Sequence, residues 1–385
     1  MKHYRTIMKS HFGFWAIIFG LFFIFHTRGY AQDYKSLISV DDEKKRLDSY
    51  ELELEAYLKH YLIDEYPARA QQLWNRDYSS IPAYIRSVQP NVLRWKDVVI
   101  KPPMLRKSGE IKRTAYNFEG LAGEWIELPL GNISAKGILV MPKNASKNKP
   151  VPLVIVQHGA GSSPERPFTA DGKSYYAYAK TLVEAGFAVL SPLNLRDISK
   201  RNNIERYTRL ANISLPGIEF SRTQNLLDEV LKDDRIDGER IGMWGVSLGG
   251  MATMFWMSLD SRIKAGVVSA WFNNRINKMA IEDDKWSNFA KYGEEYAYLT
   301  GWLTEFSEND LVSMVCPRPM QIQHGKKDNI AYWPDIIKEF KASKVHYDKL
   351  GLANGMELVL HEGGHEAKVA EGLSFLKKHL GKSSN

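Results

Sequence analysis

The segment that most restricts the fold is Ile241–Gly250, which reads Ile-Gly-Met-Trp-Gly-Val-Ser-Leu-Gly-Gly. Ile241–Trp244 has the short apolar character of a buried strand, and the residues after Leu248 continue as a helix. Between them stands G-x-S-x-G, the composition of a sharp turn from strand to helix. Small residues at 245 and 249 let the backbone close tightly around the turn. Ser247 is then exposed at the tip of the turn, with the N-terminus of a helix behind it to favour developing negative charge. Ser247 is therefore a candidate nucleophile.

The flanking pattern agrees with such a turn. Glu124–Leu128 and Gly137–Met141 read as strands, followed by a polar loop, Lys143–Pro150. Apolar runs then alternate with helical stretches. The expected strands are Leu153–Val156, Ala188–Leu190, Ile241–Trp244, Ala265–Val268, Met320–Ile322 and Glu357–Leu360. The helices fall near Ser174–Ala185, Ser221–Leu231, Trp333–Tyr347 and Glu366–His379. This alternation predicts an α/β fold with a mostly parallel central sheet and helices on both faces. The stretch 271–308 interrupts the rhythm and is rich in aromatic and acidic residues, as expected of a lid or binding element.

A serine needs a base, and the base needs an orienting acid, in the chain order Ser, acid, His. Asp328 follows the strand Met320–Ile322, and His365 follows the strand Glu357–Leu360. His365 is read as the base and Asp328 as the acid, with Glu362 the next candidate. His158-Gly159-Ala160-Gly161 follows Leu153–Val156, so the N–H groups of Gly159 or Ala160, together with that of Leu248, are the candidate oxyanion donors. The string His361-Glu362-Gly363-Gly364-His365 imitates a zinc signature, but that signature requires a helix. Here two glycines follow a strand, so neither a metal nor an organic cofactor is expected.

The chain begins with Lys2, Arg5 and Lys9, then an uncharged apolar run of 14 residues, Phe12–Phe25, then Gly29-Tyr30-Ala31. These are the parts of an export signal, 1–31, and the run is short of the ~20 residues that span a bilayer. The expectation is a secreted or periplasmic protein starting at Gln32, without stable membrane insertion. Residues 32–100 predict a helical arm. Within it Leu47, Tyr50, Leu54, Tyr57, Leu58 and Tyr61 recur at helical spacing, Pro67 interrupts, and Ser80-Ile81-Pro82 begins another helix. Residues 101–385 form the main domain. The net charge of +7 includes four basic residues and no acid in the first 31 positions. What remains is no argument for nucleic acid. A single cysteine, Cys316, excludes an intrachain disulfide framework and Cys-based metal clusters.

From about residue 120 onward the chain resembles secreted α/β-hydrolases of the dienelactone hydrolase and acetyl-xylan-esterase-like group. The likeness is densest over Asp237–Gly250 and its continuation Asp260-Ser261-Arg262-Ile263-Lys264-Ala265. It is also dense over Cys316-Pro317-Arg318-Pro319, His324-Gly325, Asp328 and Glu362-Gly363-Gly364-His365. The resemblance implies the α/β-hydrolase fold and carries the family roles to Ser247, Asp328 and His365. It implies a secreted serine esterase acting through an acyl-enzyme on a small-molecule or glycan ester, and more narrowly a deacylating carbohydrate esterase. Trp271, Trp286 and Trp302 are then candidate substrate-binding residues. The likeness to one acetyl-xylan-esterase type is incomplete. Asn194-Leu195-Arg196-Asp197 stands where that type has Arg-Gly-Gln, and Leu248 stands where it has Gln, although His365-Glu366 matches. A prolyl-oligopeptidase-like peptidase shares the Ser-Asp-His order and the double glycine, but the first 120 residues cannot supply its propeller. A hydrolase fold retained only for binding is the remaining alternative.

Overall fold

The computed structural model describes residues 38–170, 173–289, 291 and 293–381. The expected export signal, 1–31, lies outside them. The chain divides into two compact units, Met1–Leu58 and Lys59–Asn385. Helix α1, Val40–Lys59, carries Asp41, Asp42 and Glu43 in its first turn and Lys59 in its last, both matched to the helix dipole. No described helix is long and apolar enough to cross a membrane.

The expected arm 32–100 is divided by this boundary, because its later part belongs to the larger unit. Helix α2, Tyr66–Leu73, has Pro67 in its first turn, where a missing N–H is harmless. Helix α3, Ile81–Arg94, is capped by Ser80, whose side chain accepts from the Ala83 N–H at 3.2 Å. These helices and the turn after them deliver Trp74, Tyr84, Val88, Trp95, Val99 and Ile100 into the main hydrophobic core.

Among the described residues one sheet of nine strands forms the centre. The strands are β1 Lys112–Phe118, β2 Leu121–Leu130, β3 Ile133–Val140, β4 Val151–Gln157, β5 Ala188–Pro192, β6 Ile236–Val246, β7 Ile263–Ser269, β8 Met320–Gly325 and β9 Met356–His361. Their spatial order is β1-β2-β3-β5-β4-β6-β7-β8-β9. The first three run as an antiparallel meander that joins β5 antiparallel, and every pairing from β5 to β9 is parallel. Central strands such as β4 are buried along nearly their whole length, which is why they read as continuous apolar runs.

The connecting helices are α4 Tyr178–Glu184, α5 Ile198–Leu210, α6 Leu215–Val230, α7 Leu248–Leu259, α8 Arg275–Ala280, α9 Glu308–Val315, α10 Trp333–Lys349 and α11 Val369–Leu380. From β4 the chain goes first to β5 on one side and then to β6 on the other. The order therefore reverses between β4 and β6, and a crevice opens at the carboxyl ends of those strands. The expected serine, histidine and glycine loops all emerge at this edge. The fold is that of the α/β-hydrolases.

Candidate active site

Ser247 follows β6 directly and precedes α7, with φ 60° and ψ −121°. A left-handed φ at a non-glycine residue costs about 1–3 kcal/mol and persists only where the surroundings enforce it. Here the Ser247 N–H donates to the Ser269 carbonyl at 2.8 Å, and its own carbonyl accepts from Met251 N–H at 3.0 Å. A Cβ on Gly245 would collide with the Gly249 carbonyl, and one on Gly249 with the Gln157 carbonyl. The glycines of the motif are thus required by close backbone approach, and the serine side chain is left at the crevice.

The other two residues are brought together by the loops after β8 and β9. Lys326 N–H donates to the His361 carbonyl at 2.8 Å and Lys327 N–H to the Gly363 carbonyl at 2.9 Å. This zipper sets Asp328 against His365, whose Nδ1 lies 2.8 Å from Asp328 Oδ2. Asp328 is buried, and its Oδ1 accepts from Ile330 N–H at 3.1 Å. Burial pushes the Asp328 carboxyl up, but the hydrogen bond and charge of His365, with the Ile330 N–H, hold it below the usual range. Asp328 is therefore a carboxylate at neutral pH. Glu362, the other candidate acid, is exposed and paired with Lys326.

The remaining histidines have different surroundings. His361 Nδ1 accepts from Gly363 N–H at 3.1 Å, so the H-E-x-x-H string runs from a strand end through a loop and does not share a helical face. His324 is buried, and neither ring nitrogen has a hydrogen-bond partner. Burial lowers its pKa to about 4, which keeps the ring neutral. His158 is also buried. Its Nε2 accepts from Asn194 N–H at 3.3 Å and its Nδ1 faces the Gly159 carbonyl at 3.0 Å.

Two cavities meet at Ser247. One, of about 270 Å³, is polar and is lined by Gly159, Ala160, Ser162, Tyr175 and His365. The other, of about 210 Å³, is lined by Ala160, Leu248, Trp271, Phe289 and Tyr296, with Asn273, Lys278 and Glu294 among its polar groups. Trp271 stacks on Phe289 with ring centroids 5.9 Å apart, and its Nε1 has no hydrogen-bond partner. Lys278 donates to the Ser287 carbonyl at 3.0 Å and the Ile330 carbonyl at 2.6 Å. It ties the aromatic insertion to the loop that carries Asp328. Burial, with the charge of Arg275, lowers its pKa to about 8.

Three expectations change on this geometry. The Gly159 N–H, expected to face the reacting carbonyl, donates instead to Tyr175 Oη at 2.7 Å. Ala160 and Leu248 remain beside Ser247, and the Leu248 N–H, at the first residue of α7, has no intrahelical partner to occupy it. Trp302 is core, 1 % exposed and packed edge-on to Trp95 and Phe255. Trp286 packs on Tyr332 and under Lys285 and lines neither cavity. Of the three tryptophans, Trp271 is the one that lines a cavity at Ser247. Tyr175, Asn273 and Lys278 were not singled out from the sequence. Their places depend on contacts across the chain, although the run of tyrosines at 175, 176 and 178 is visible in it.

No family model matches the chain. It is 25% identical over 262 residues to the putative hydrolase YtaP of Bacillus subtilis, covering 65% of this chain and 85% of that protein. It is 26% identical over 235 residues to the putative esterase YitV of the same organism, covering 58% and 87%. Its structure is similar to that of a putative acetyl xylan esterase from Bacteroides fragilis, with a TM-score of 0.56 and 19% identity over 76% of this chain and 80% of that one.

Proposed function

We propose that the protein is a carboxylic ester hydrolase that works through Ser247, His365 and Asp328 and deacylates carbohydrates. The observation that carries this reading is the convergence of a strained serine turn and a carboxylate-held histidine on one cavity. In the first half-reaction His365 takes the Ser247 proton as Oγ attacks the ester carbonyl, and it then gives that proton to the departing alkoxide. Water, activated by the same imidazole, releases the acid from the acyl-enzyme. Asp328 holds the imidazole through Nδ1 and stabilises its charged form.

His365 lines the polar cavity and not the aromatic one. The leaving alcohol must be protonated by His365, so it occupies the polar cavity, where a sugar finds hydroxyl and backbone partners. The acyl group occupies the aromatic cavity. Its volume of about 210 Å³ equals that of about seven liquid waters, which exceeds an acetyl group. The names of the similar proteins, an esterase and an acetyl xylan esterase, support the same chemistry and substrate class. The basic start and apolar run at the N-terminus support export.

The test is a screen of purified protein against acetylated, butyrylated and aromatic-acyl sugar esters, with Ser247→Ala as control. Hydrolysis that extends beyond acetate and vanishes in the variant is expected. Absence of all ester hydrolysis by folded protein would overturn the reading.

A further inference from the structure

We propose that Tyr175 is a catalytic residue whose phenolic hydroxyl donates to the oxyanion. The proposal rests on Ser247 being the nucleophile. An acyl-transfer site needs donors aimed at the oxygen that becomes negative. One backbone candidate for that task, the Gly159 N–H, is already given to Tyr175 Oη at 2.7 Å. The contact uses an acceptor position of the phenol and leaves its proton for another partner. A donor chain results, from Gly159 N–H to the phenol and from the phenol to the substrate oxygen, in which each hydrogen bond polarises the next.

Position agrees with that role. Tyr175 lines the same cavity as Ser247 and His365. A Cβ placed on Gly159 would lie 3.2 Å from Tyr175 Oη and 3.2 Å from Ser247 Cβ. The two atoms are therefore at most about 6.4 Å apart, twice 3.2 Å. This bound puts the phenol within reach of the oxygen of a carbonyl attached to Oγ.

The side chain is also held in place from both neighbours. The Ser174 carbonyl accepts from Ala367 N–H at 2.8 Å, and Tyr176 Oη donates to Glu366 Oε2 at 2.8 Å. Tyr175 is thus clasped to the loop that carries His365. Tyr176 and Ala177 take left-handed φ values of 49° and 51°, a conformation disfavoured for residues with a Cβ. The chain bends there and the Tyr175 ring enters the interior, 6.3 Å from the Tyr178 ring. Burial raises the phenol above its ordinary value, against the opposing pull of Ser162, Gly159 and Arg166. The hydroxyl is a proton donor throughout the neutral range.

The experiment compares wild type, Tyr175→Phe and Ser247→Ala on one soluble short-chain acyl ester. It also measures binding of a boronic acid that forms a tetrahedral adduct on Ser247. Loss of one oxyanion donor lowers kcat by about 100-fold or more. In Tyr175→Phe we expect that fall with KM within about two-fold, and a matching loss of boronate affinity. A packing role would move KM or thermal stability and leave boronate and substrate affinity in their original ratio. A kcat within three-fold of wild type, while Ser247→Ala is inactive, overturns the Tyr175 proposal alone. Activity surviving in Ser247→Ala overturns the nucleophile reading beneath it. A wild-type boronate adduct gives a test that needs no variant to fold. Tyr175 Oη should lie about 2.7–3.1 Å from the boronate oxygen that stands for the oxyanion, and a separation beyond 4 Å refutes the proposal.

Discussion

Arg275→Met should destabilise the protein by about 3–5 kcal/mol, because it removes one half of an ion pair buried beneath the aromatic cavity. Arg275 Nε and Nη2 meet Glu308 Oε2 and Oε1 at 3.1 and 3.0 Å, and both side chains are fully buried. The guanidinium also lies 4.3 Å from the centre of the Trp271 ring. Burial already pushes the Glu308 carboxyl up, and the charge and hydrogen bonds of Arg275, with the Asn273 N–H, oppose that push. Without the arginine the carboxylate has lost most of its compensation. The cation–π contact contributes a further ~1–2 kcal/mol at most, so the stranded carboxylate dominates. Arg275→Met combined with Glu308→Leu leaves no orphan charge and should recover most of the loss. The assay is urea unfolding of the four proteins at pH 7. A coupling of at least about 2 kcal/mol between the two sites is expected. In Arg275→Met alone the loss should shrink as pH falls from 7 to 5, because the folded state then binds a proton on Glu308 that the unfolded state does not. A single-variant cost under 1 kcal/mol, or strict additivity, would refute the reasoning.

The site and core give four further expected outcomes. Asp328→Asn should lower kcat by about 10³–10⁴-fold by releasing the imidazole from its working tautomer, measured on a short-chain ester; a loss under ten-fold would remove Asp328 from the site. Burial and the charges of Arg76 and Lys349 lower the pKa of His346 to about 3, whereas an unfolded imidazole takes its proton near about 6.5. Stability should therefore fall as pH drops from 6.5 toward 3, by up to about 1.4 kcal/mol per pH unit from this group. Replacement by Gln should reduce that slope in urea titrations, and an unchanged slope contradicts the assignment. Trp302→Ala should cost about 3–5 kcal/mol as a core cavity while the folded fraction keeps wild-type KM. Trp271→Ala should instead raise KM for esters of larger acids.

The serine turn was legible because its requirements are local. Gly245 and Gly249 are small where backbone meets backbone, and the buried second half of β6 before them, Ile241–Trp244, is free of polar side chains. Asp328 and His365 were legible because each follows an apolar strand at the carboxyl edge of the sheet. Helix α5 was harder to read, because the side chains that anchor it include buried polar ones. Arg201 is buried against Glu219, with Nη1 2.7 Å from Oε1, so the helix lacks a clean apolar stripe. β1 is a mostly exposed edge strand that opens on Lys112, Arg113 and Thr114 and carries little strand signal. Aromatic content in 271–308 did not distinguish Trp302, packed into the core, from Trp271 at the cavity. Composition records which residues are present and not which way they face. Tyr175 depends on Gly159, sixteen positions away, and no local pattern encodes that contact.

The central claim is that Ser247 is the nucleophile, and covalent labelling tests it most directly. Folded protein treated with a fluorophosphonate should gain one adduct, located by peptide mass spectrometry on the segment containing Ser247, with ester hydrolysis lost in proportion. Ser247→Ala should neither label nor hydrolyse. Wild-type protein that stays unlabelled, or a Ser247→Ala variant that hydrolyses esters at the wild-type rate, would contradict the account.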